Sequence, residues 1–374
     1  MSNFEKWDKE FRNQNLFSFN SDQNGLLWLK VKAISRRDQL AQFTSKNNIE
    51  LKSSTIKEQQ IELFELLEKK TNAMSILDKF LCEKNHEWYV ELGVDDKALK
   101  KDLYKVKSYS WGGDHNNSLD KYLVSHFVKP ISNYDSLVSK SEEISSNAWN
   151  YVQVSWYNNW TSYLIESLFK RHERVVSAVG EIKSVDFFID DLPVDLKVTF
   201  IPNAFLEDNL KIKLGKKELS WLKAKAKEFN VSYESSDVDE SLLKDIILEK
   251  LSEIGHSEVL EQLNSKKQEI IKEVQDDSTE LLKWLYENQG VTRFGAENRL
   301  FIILVDPSDL SNSWKMKRAF TTIEPIVKEY LNNFDVNKSF KTIDFRFGGK
   351  DYKAMADVIF VIKGMGKQPE NGSK

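Results

Sequence analysis

Apolar residues recur three and four positions apart over much of the first third of the chain. Leu63, Phe64, Leu66 and Leu67 run on into Met74, Ile76, Leu77, Phe80 and Leu81, and that period puts them on one stripe of a helix. Residues 1–147 are therefore expected to be mainly helical, with short polar turns at 111–114 and 132–135. The texture changes after Asn147. Trp149, Tyr151, Trp156, Tyr157, Trp160 and Tyr163 crowd one window, and 158–173 reads as a helix. Runs rich in Val, Ile and Phe follow at 174–179, 185–189 and 194–200. The Asp-Asp-Leu-Pro segment 190–193 separates the last two, which predicts a β-hairpin. Residues 231–290 return to helical spacing through Leu243, Ile246, Ile247, Leu251 and Ile254, then Ile270, Ile271, Val274, Leu281, Leu282 and Leu285. A buried strand is expected at 301–305, a helix at 314–331, and a second hairpin joining 343–347 to 356–362 across 348–351. Strands alternating with helices predict a mixed α/β fold, a mixed sheet flanked by helices. Its core spans 148–363, with 231–290 as a solvated helical insertion packed on the body and 364–374 as a flexible tail.

At 374 residues the chain has room for about two folded units. A single cysteine, Cys82, excludes an intramolecular disulfide and fits a reducing, cytoplasmic setting. The first residues lack the basic start and apolar stretch of a signal peptide. The longest apolar run, near 301–305, falls far short of the roughly 20 residues that span a bilayer, so no membrane association is expected. The five histidines lack the spacing of a zinc site. Gly-x-Ser-x-Gly is absent, and Gly364, Gly366 and Lys367 lack the rest of a phosphate-loop pattern.

Charge at first argues against nucleic acid, since 54 Lys and Arg face 58 Asp and Glu for a net of −4. The excess is local, however. Residues 231–290 hold 15 acidic and 6 basic side chains, a net of −9, which leaves +5 for the remainder. Residues 201–230 carry seven lysines against four acids. Candidate phosphate contacts are Arg293 and Arg299, flanking the polar loop 294–298, and the cluster Lys315, Lys317 and Arg318. The aromatic window 149–163 reads mainly as core, with base stacking as the alternative.

The candidate chemistry lies in the first hairpin. Alternate residues of a strand share a face, so Asp195 and Lys197 point the same way, and the hairpin brings Asp186 alongside. Val194, Leu196 and Val198 take the other face as core. Two convergent carboxylates repel each other, and a hard divalent cation such as Mg²⁺ resolves that repulsion. A neighbouring lysine can then hold an attacking water while the metal polarises a phosphorus centre.

This arrangement resembles the PD-(D/E)xK nuclease superfamily, which includes many restriction endonucleases. The match is Val185-Asp186, eight intervening residues, then Asp195-Leu196-Lys197. Val185 stands where the family name has proline, and the second acid is Asp rather than the commoner Glu. The family often adds an acid from the preceding helix, and Glu166 fits, with Asn159 and Tyr163 on the same helical face. The resemblance covers about residues 155–202, with the later strands as weaker support for the family's sheet. It implies a restriction-endonuclease-like core that hydrolyses DNA phosphodiesters to a 5′-phosphate and a 3′-hydroxyl. Asp186 and Asp195 would be metal ligands, Lys197 the water-positioning group and Glu166 an accessory ligand. Mg²⁺, replaceable by Mn²⁺, would be the cofactor. Double-stranded DNA would be the substrate, a homodimer the working form, and restriction or anti-phage defence the setting. Alternatives are a nuclease subunit of a multi-protein defence complex with a partner ATPase, and a non-catalytic protein-interaction module in which Asp195 and Lys197 form a structural ion pair.

Overall fold

The computed structural model describes residues 2–15, 18–20, 22–113, 118–178, 185–234, 238–288 and 298–364. The first part is helical, as expected: α1 Asn3–Arg12, α2 Gln23–Ala33, α3 Arg37–Lys46, α4 Ile56–Leu67, α5 Ala73–Leu92, α6 Asp96–Asp102, α7 Leu119–Leu123 and α8 Tyr134–Val138. Ser2 and Glu5 form a capping box that starts α1, satisfying two backbone donors reciprocally. Helix α2 is buried from Gly25 through Val31. At Gly25 a Cβ would stand 3.0 Å from the Trp7 ring, so glycine is what lets α1 and α2 approach.

A long helix, α9 (Ser141–Lys170), leads into β1 (Val175–Ser177), β2 (Phe187–Ile189) and β3 (Leu192–Phe200). Helix α9 starts 17 residues before the expected position 158, so the boundary drawn at 147 falls inside a continuous helix. The aromatic window had masked its helical period. The expected hairpin is present with a tighter turn than 190–193. Phe187 pairs with Val194 and Ile189 with Leu192, while Asp190 and Asp191 turn with φ of 45° and 69°. Two consecutive positive-φ residues match the twist of the flanking strands, and Asp tolerates that conformation better than most residues.

Five helices follow: α10 Asn203–Leu214, α11 Glu218–Glu228, α12 Glu240–Glu253, α13 Glu258–Asp276 and α14 Thr279–Glu287. The helical segment thus opens at 203 rather than 231. It is also more than a solvated pair, because Ile270, Ile271, Val274, Leu281, Leu282 and Tyr286 close one face of the sheet. Strand β4 (Asn298–Val305), a 3-10 helix (Leu310–Arg318), α15 (Phe320–Asn332), α16 (Val336–Ser339), β5 (Lys341–Phe347) and β6 (Lys350–Ile362) complete the chain. The helix expected over 314–331 is two elements, interrupted at Ala319 with ψ of 60°. The second hairpin is present, turned by Gly348 and Gly349 with φ of 56° and 79°. The tail from 365 onward lies outside the described residues. No described helix is long and apolar enough to cross a membrane.

The six strands form one mixed sheet in the order β1-β2-β3-β4-β6-β5. β3, β4 and β6 are parallel neighbours, and the other pairs are antiparallel. On one face Leu300, Ile302 and Leu304 pack with Leu164, Ile165 and Phe169 of α9 and Ile323 and Val327 of α15. On the other, Phe301, Ile303 and Val305 meet α13 and α14. The N-terminal helices share a core with Val185 and Phe188 of the hairpin.

One buried ion pair locks that junction. The Lys30 ammonium is fully buried, lies 2.5 Å from both Asp78 and Asp191, and stands over the Phe188 ring. Lys30→Met is expected to cost about 2–4 kcal/mol in urea unfolding at pH 7, because it leaves the largely buried Asp78 carboxylate without its counter-charge. Burial already holds the Asp78 carboxyl above its usual range. Without the ammonium the folded-state pKa of Asp78 rises further, so the penalty applies above it and fades as pH falls through it. The gap to wild type should therefore narrow on acidification.

Candidate active site

Asp186 precedes β2 and is held against β3 by two backbone groups. Its N–H donates to the Val194 carbonyl (2.9 Å), and its Oδ2 accepts from the Leu196 N–H (2.8 Å). Val194 and Leu196 flank Asp195, so the two carboxylates come together as the hairpin argument required. Asp195 is only 3% exposed. Its Oδ1 accepts from Lys197 Nζ, and its Oδ2 lies 3.4 Å from Arg299 Nε on β4, the residue directly across the parallel ladder. That Oδ2 is buried and makes no hydrogen bond among the described residues. Burial pushes the Asp195 carboxyl above its usual range, Asp186 adds to the rise, and Lys197 and Arg299 oppose it.

Glu166 projects from α9 toward the same cluster. Its Oε2 accepts from Lys170 Nζ, one turn on (3.0 Å). Burial raises its pKa, Lys170 lowers it, Asp186 raises it and Lys197 lowers it. Glu166 is thus coupled to Asp186 and Lys197, which are in turn coupled to Asp195. Val194 is fully buried and Leu196 7% exposed on the opposite face, as the strand alternation predicted.

Among the described residues, no group of three or more His, Cys, Asp or Glu is disposed as a ready metal cage. The donor chemistry nonetheless suits a hard cation. Mg²⁺ takes one or two carboxylates and fills its other positions with water and phosphate oxygens, and the buried Asp195 Oδ2 lacks a hydrogen bond. Asp186 and Asp195 would hold such an ion, with Glu166 beside it.

The expected phosphate contacts fare differently. Arg293 lies outside the described residues. Arg299 is 4% exposed inside the sheet, beside Asp195 and 4.9 Å from the centre of the Tyr286 ring, so it serves the cluster rather than the surface. Lys317 is 7% exposed and donates to Asn158 Oδ1 (2.7 Å). Arg318 donates from Nη1 to the carbonyls of Leu103 and Val106 (2.9 Å each), which ties the N-terminal region to the 3-10 helix. Lys315 alone of the three is a surface cation. The sequence predicts a helical cluster of three, but the 3-10 turns send neighbours to different depths.

Two partners were not anticipated. The sequence offers Arg299 as a phosphate contact, whereas its place opposite Asp195 depends on β3 and β4 pairing in parallel. Lys170 was legible in principle, four residues after Glu166 on one helix. No protein-family model matches the chain, no curated protein is significantly similar to it, and no solved structure is significantly similar to it.

Asp195→Asn is expected to destabilise the fold by about 2–4 kcal/mol, because it removes the carboxylate that faces Arg299 inside the sheet. Lys197, with 45% of its side chain exposed, is expected to cost below about 1 kcal/mol as Lys197→Met. Denaturant unfolding of both variants tests the contrast. Equal losses would show that the buried pair is not what holds the β3–β4 junction.

Proposed function

We propose that this chain is a metal-dependent deoxyribonuclease of the PD-(D/E)xK type. The observation that carries the reading is the Asp186–Asp195–Lys197 group, with Asp186 bonded to the backbone on both sides of Asp195. One carboxylate on β3 and another just before β2, a lysine two residues along β3, and a helix-borne Glu166 beside them supply the parts this chemistry needs. A hairpin running into parallel strands, with helices on both faces of the sheet, supports the same reading.

In the reaction, the residues divide the work by exposure and charge. Bound Mg²⁺ would supply Lewis acidity at the phosphorus centre and stabilise the leaving oxygen. Asp186 and Asp195 would hold it through hard oxygens. Lys197 is exposed enough to leave Asp195 and orient a water on the scissile phosphate. Glu166, partly neutralised by Lys170, completes the acidic wall. Double-stranded DNA is the expected substrate, and two active sites, hence a dimer, would cut both strands. Restriction or anti-phage defence is the setting proposed, alone or as a subunit of a larger complex.

A second reading rests on one specific observation. Asp195 already lies between Lys197 and Arg299, which would suffice as a structural ion cluster in a non-catalytic interaction protein. Metal affinity separates the two. On the nuclease reading Mn²⁺ binds, and binding is lost in Asp186→Asn. Affinity also falls on acidification, beginning above the ordinary carboxylate range of about 4. Protons compete with the metal for the Asp195 and Glu166 carboxyls, whose pKa values are raised. Cleavage of plasmid DNA in Mg²⁺ should drop at least about 100-fold in Asp186→Asn and Lys197→Ala, both checked for folding. Cleavage equal to wild type in both variants would remove these residues from the mechanism.

A further inference from the structure

A cleft of about 520 Å³ opens between α5 and α9, with Glu166 in its lining. Its walls are aromatic. Trp88 and Trp160 each make an edge contact with Tyr163, at centroid distances of 5.9 and 5.4 Å. Trp88 is 45% exposed, so part of its ring is open to solvent. Along the α9 side, Asn158, Ser162 and Glu166 line the cleft at intervals of four residues, so they share one helical face. Among the described residues no lysine or arginine lines it, which disfavours a phosphate as the occupant and favours a flat, neutral ring.

The polar wall is also oriented. Asn158 Oδ1 accepts from Lys317 Nζ and from Tyr109 Oη, both at 2.7 Å. An ammonium can only donate, so the amide oxygen must face Lys317. Lys317 is buried and has no carboxylate partner among the described residues; burial lowers its pKa to about 8. The Asn158 Nδ2 group makes no hydrogen bond among the described residues and is not a buried orphan. It is therefore an open donor on a residue that lines the cleft. Ring nitrogens and carbonyl oxygens of nucleobases are its complement.

We infer that this cleft receives one unpaired nucleobase of the substrate strand, stacked on Trp88 and hydrogen-bonded by Asn158. The inference rests on the nuclease reading, because Glu166 belongs both to the cleft and to the Asp186–Asp195–Lys197 group. A strand with its phosphate at that group can lay a neighbouring base into the cleft only if the base is free of its partner. The substrate is thereby narrowed to DNA that is single-stranded, or opened, next to the cut.

The test uses a single-stranded oligonucleotide carrying one 2-aminopurine, in EDTA so that binding is read without cleavage. Stacking should quench the fluorophore on wild type. Trp88→Ala should weaken binding about five- to a hundredfold and abolish the quench, and Trp88→Phe should restore most of both. Asn158→Ala should weaken binding less and leave the quench. An abasic strand should bind wild type no better than Trp88→Ala binds the intact strand. Equal affinity and quench in wild type and Trp88→Ala would overturn the inference, as would equal binding of abasic and intact strands. Mg²⁺-dependent cleavage is assayed in parallel. Cleavage lost in Asp186→Asn but unchanged in Trp88→Ala, with no quench, overturns the base cleft and leaves the nuclease. A Trp88-dependent quench without cleavage overturns the nuclease and leaves a base-binding cleft.

Discussion

Strand β4 is buried at every position from Asn298 to Val305, and that constraint organises the molecule. A strand with no solvent face needs paired neighbours on both edges and helices on both faces. β3 and β6 supply the edges in parallel. Helices α9 and α15 cover one face, and α13 and α14 the other. Parallel neighbours require long connections, which accounts for the five helices between β3 and β4 and for the 3-10 helix and α15 between β4 and the last hairpin. The acidic segment is thus part of the crossover that makes the central pairing possible. Its charges decorate the outer side of helices whose inner side is core.

A charged side chain on such a strand needs a counter-charge, and Arg299 has one in Asp195 across the ladder. Asp195 sits where β3 stops pairing with β2 alone and takes up β4 on its other edge. The chain there is fixed from both sides, so the carboxylate is held in place whether or not a ligand is present. Asp186 is fixed by the same strand through Val194 and Leu196. Preorganisation of this kind is what a metal site or a catalytic group requires. It also explains why the most buried member of the group is structural as well, while the half-exposed Lys197 is free to move.

The hairpins, the buried strand and the site's sequence spacing could be read from the chain because they depend on local pattern. Val-rich runs on either side of Asp190 and Asp191, and a glycine pair at 348–349, encode turns within a few residues. What could not be read depends on pairing across long distances. Arg299 looks like a surface cation until β3 and β4 are known to be parallel in that register. Lys317 and Arg318 look like a basic patch until the backbone there is known to be 3-10 rather than α-helical. The start of α9 was hidden because Tyr157 is fully buried while Trp149 is 64% exposed. An aromatic count cannot tell these roles apart. Asn158 carries no motif; its importance comes from a lysine 159 residues later.

Charge within the group bears on how the proposed chemistry would begin. Glu166, Asp186 and Asp195 are three carboxylates, and Lys170, Lys197 and Arg299 are three cations set among them. The group is close to neutral, so it offers a divalent ion less attraction than three bare acids would. Two of the cations are poorly placed to leave. Arg299 is buried in the sheet and Lys170 has only 12% of its side chain exposed. Lys197 is the one with open solvent beside it. If it swings from Asp195 to a DNA phosphate, Asp195 regains a free oxygen and the group as a whole becomes net negative at the moment a phosphate arrives. On the nuclease reading, metal and substrate then assist each other's binding, and the lysine that would organise the water is also the group whose movement opens the site.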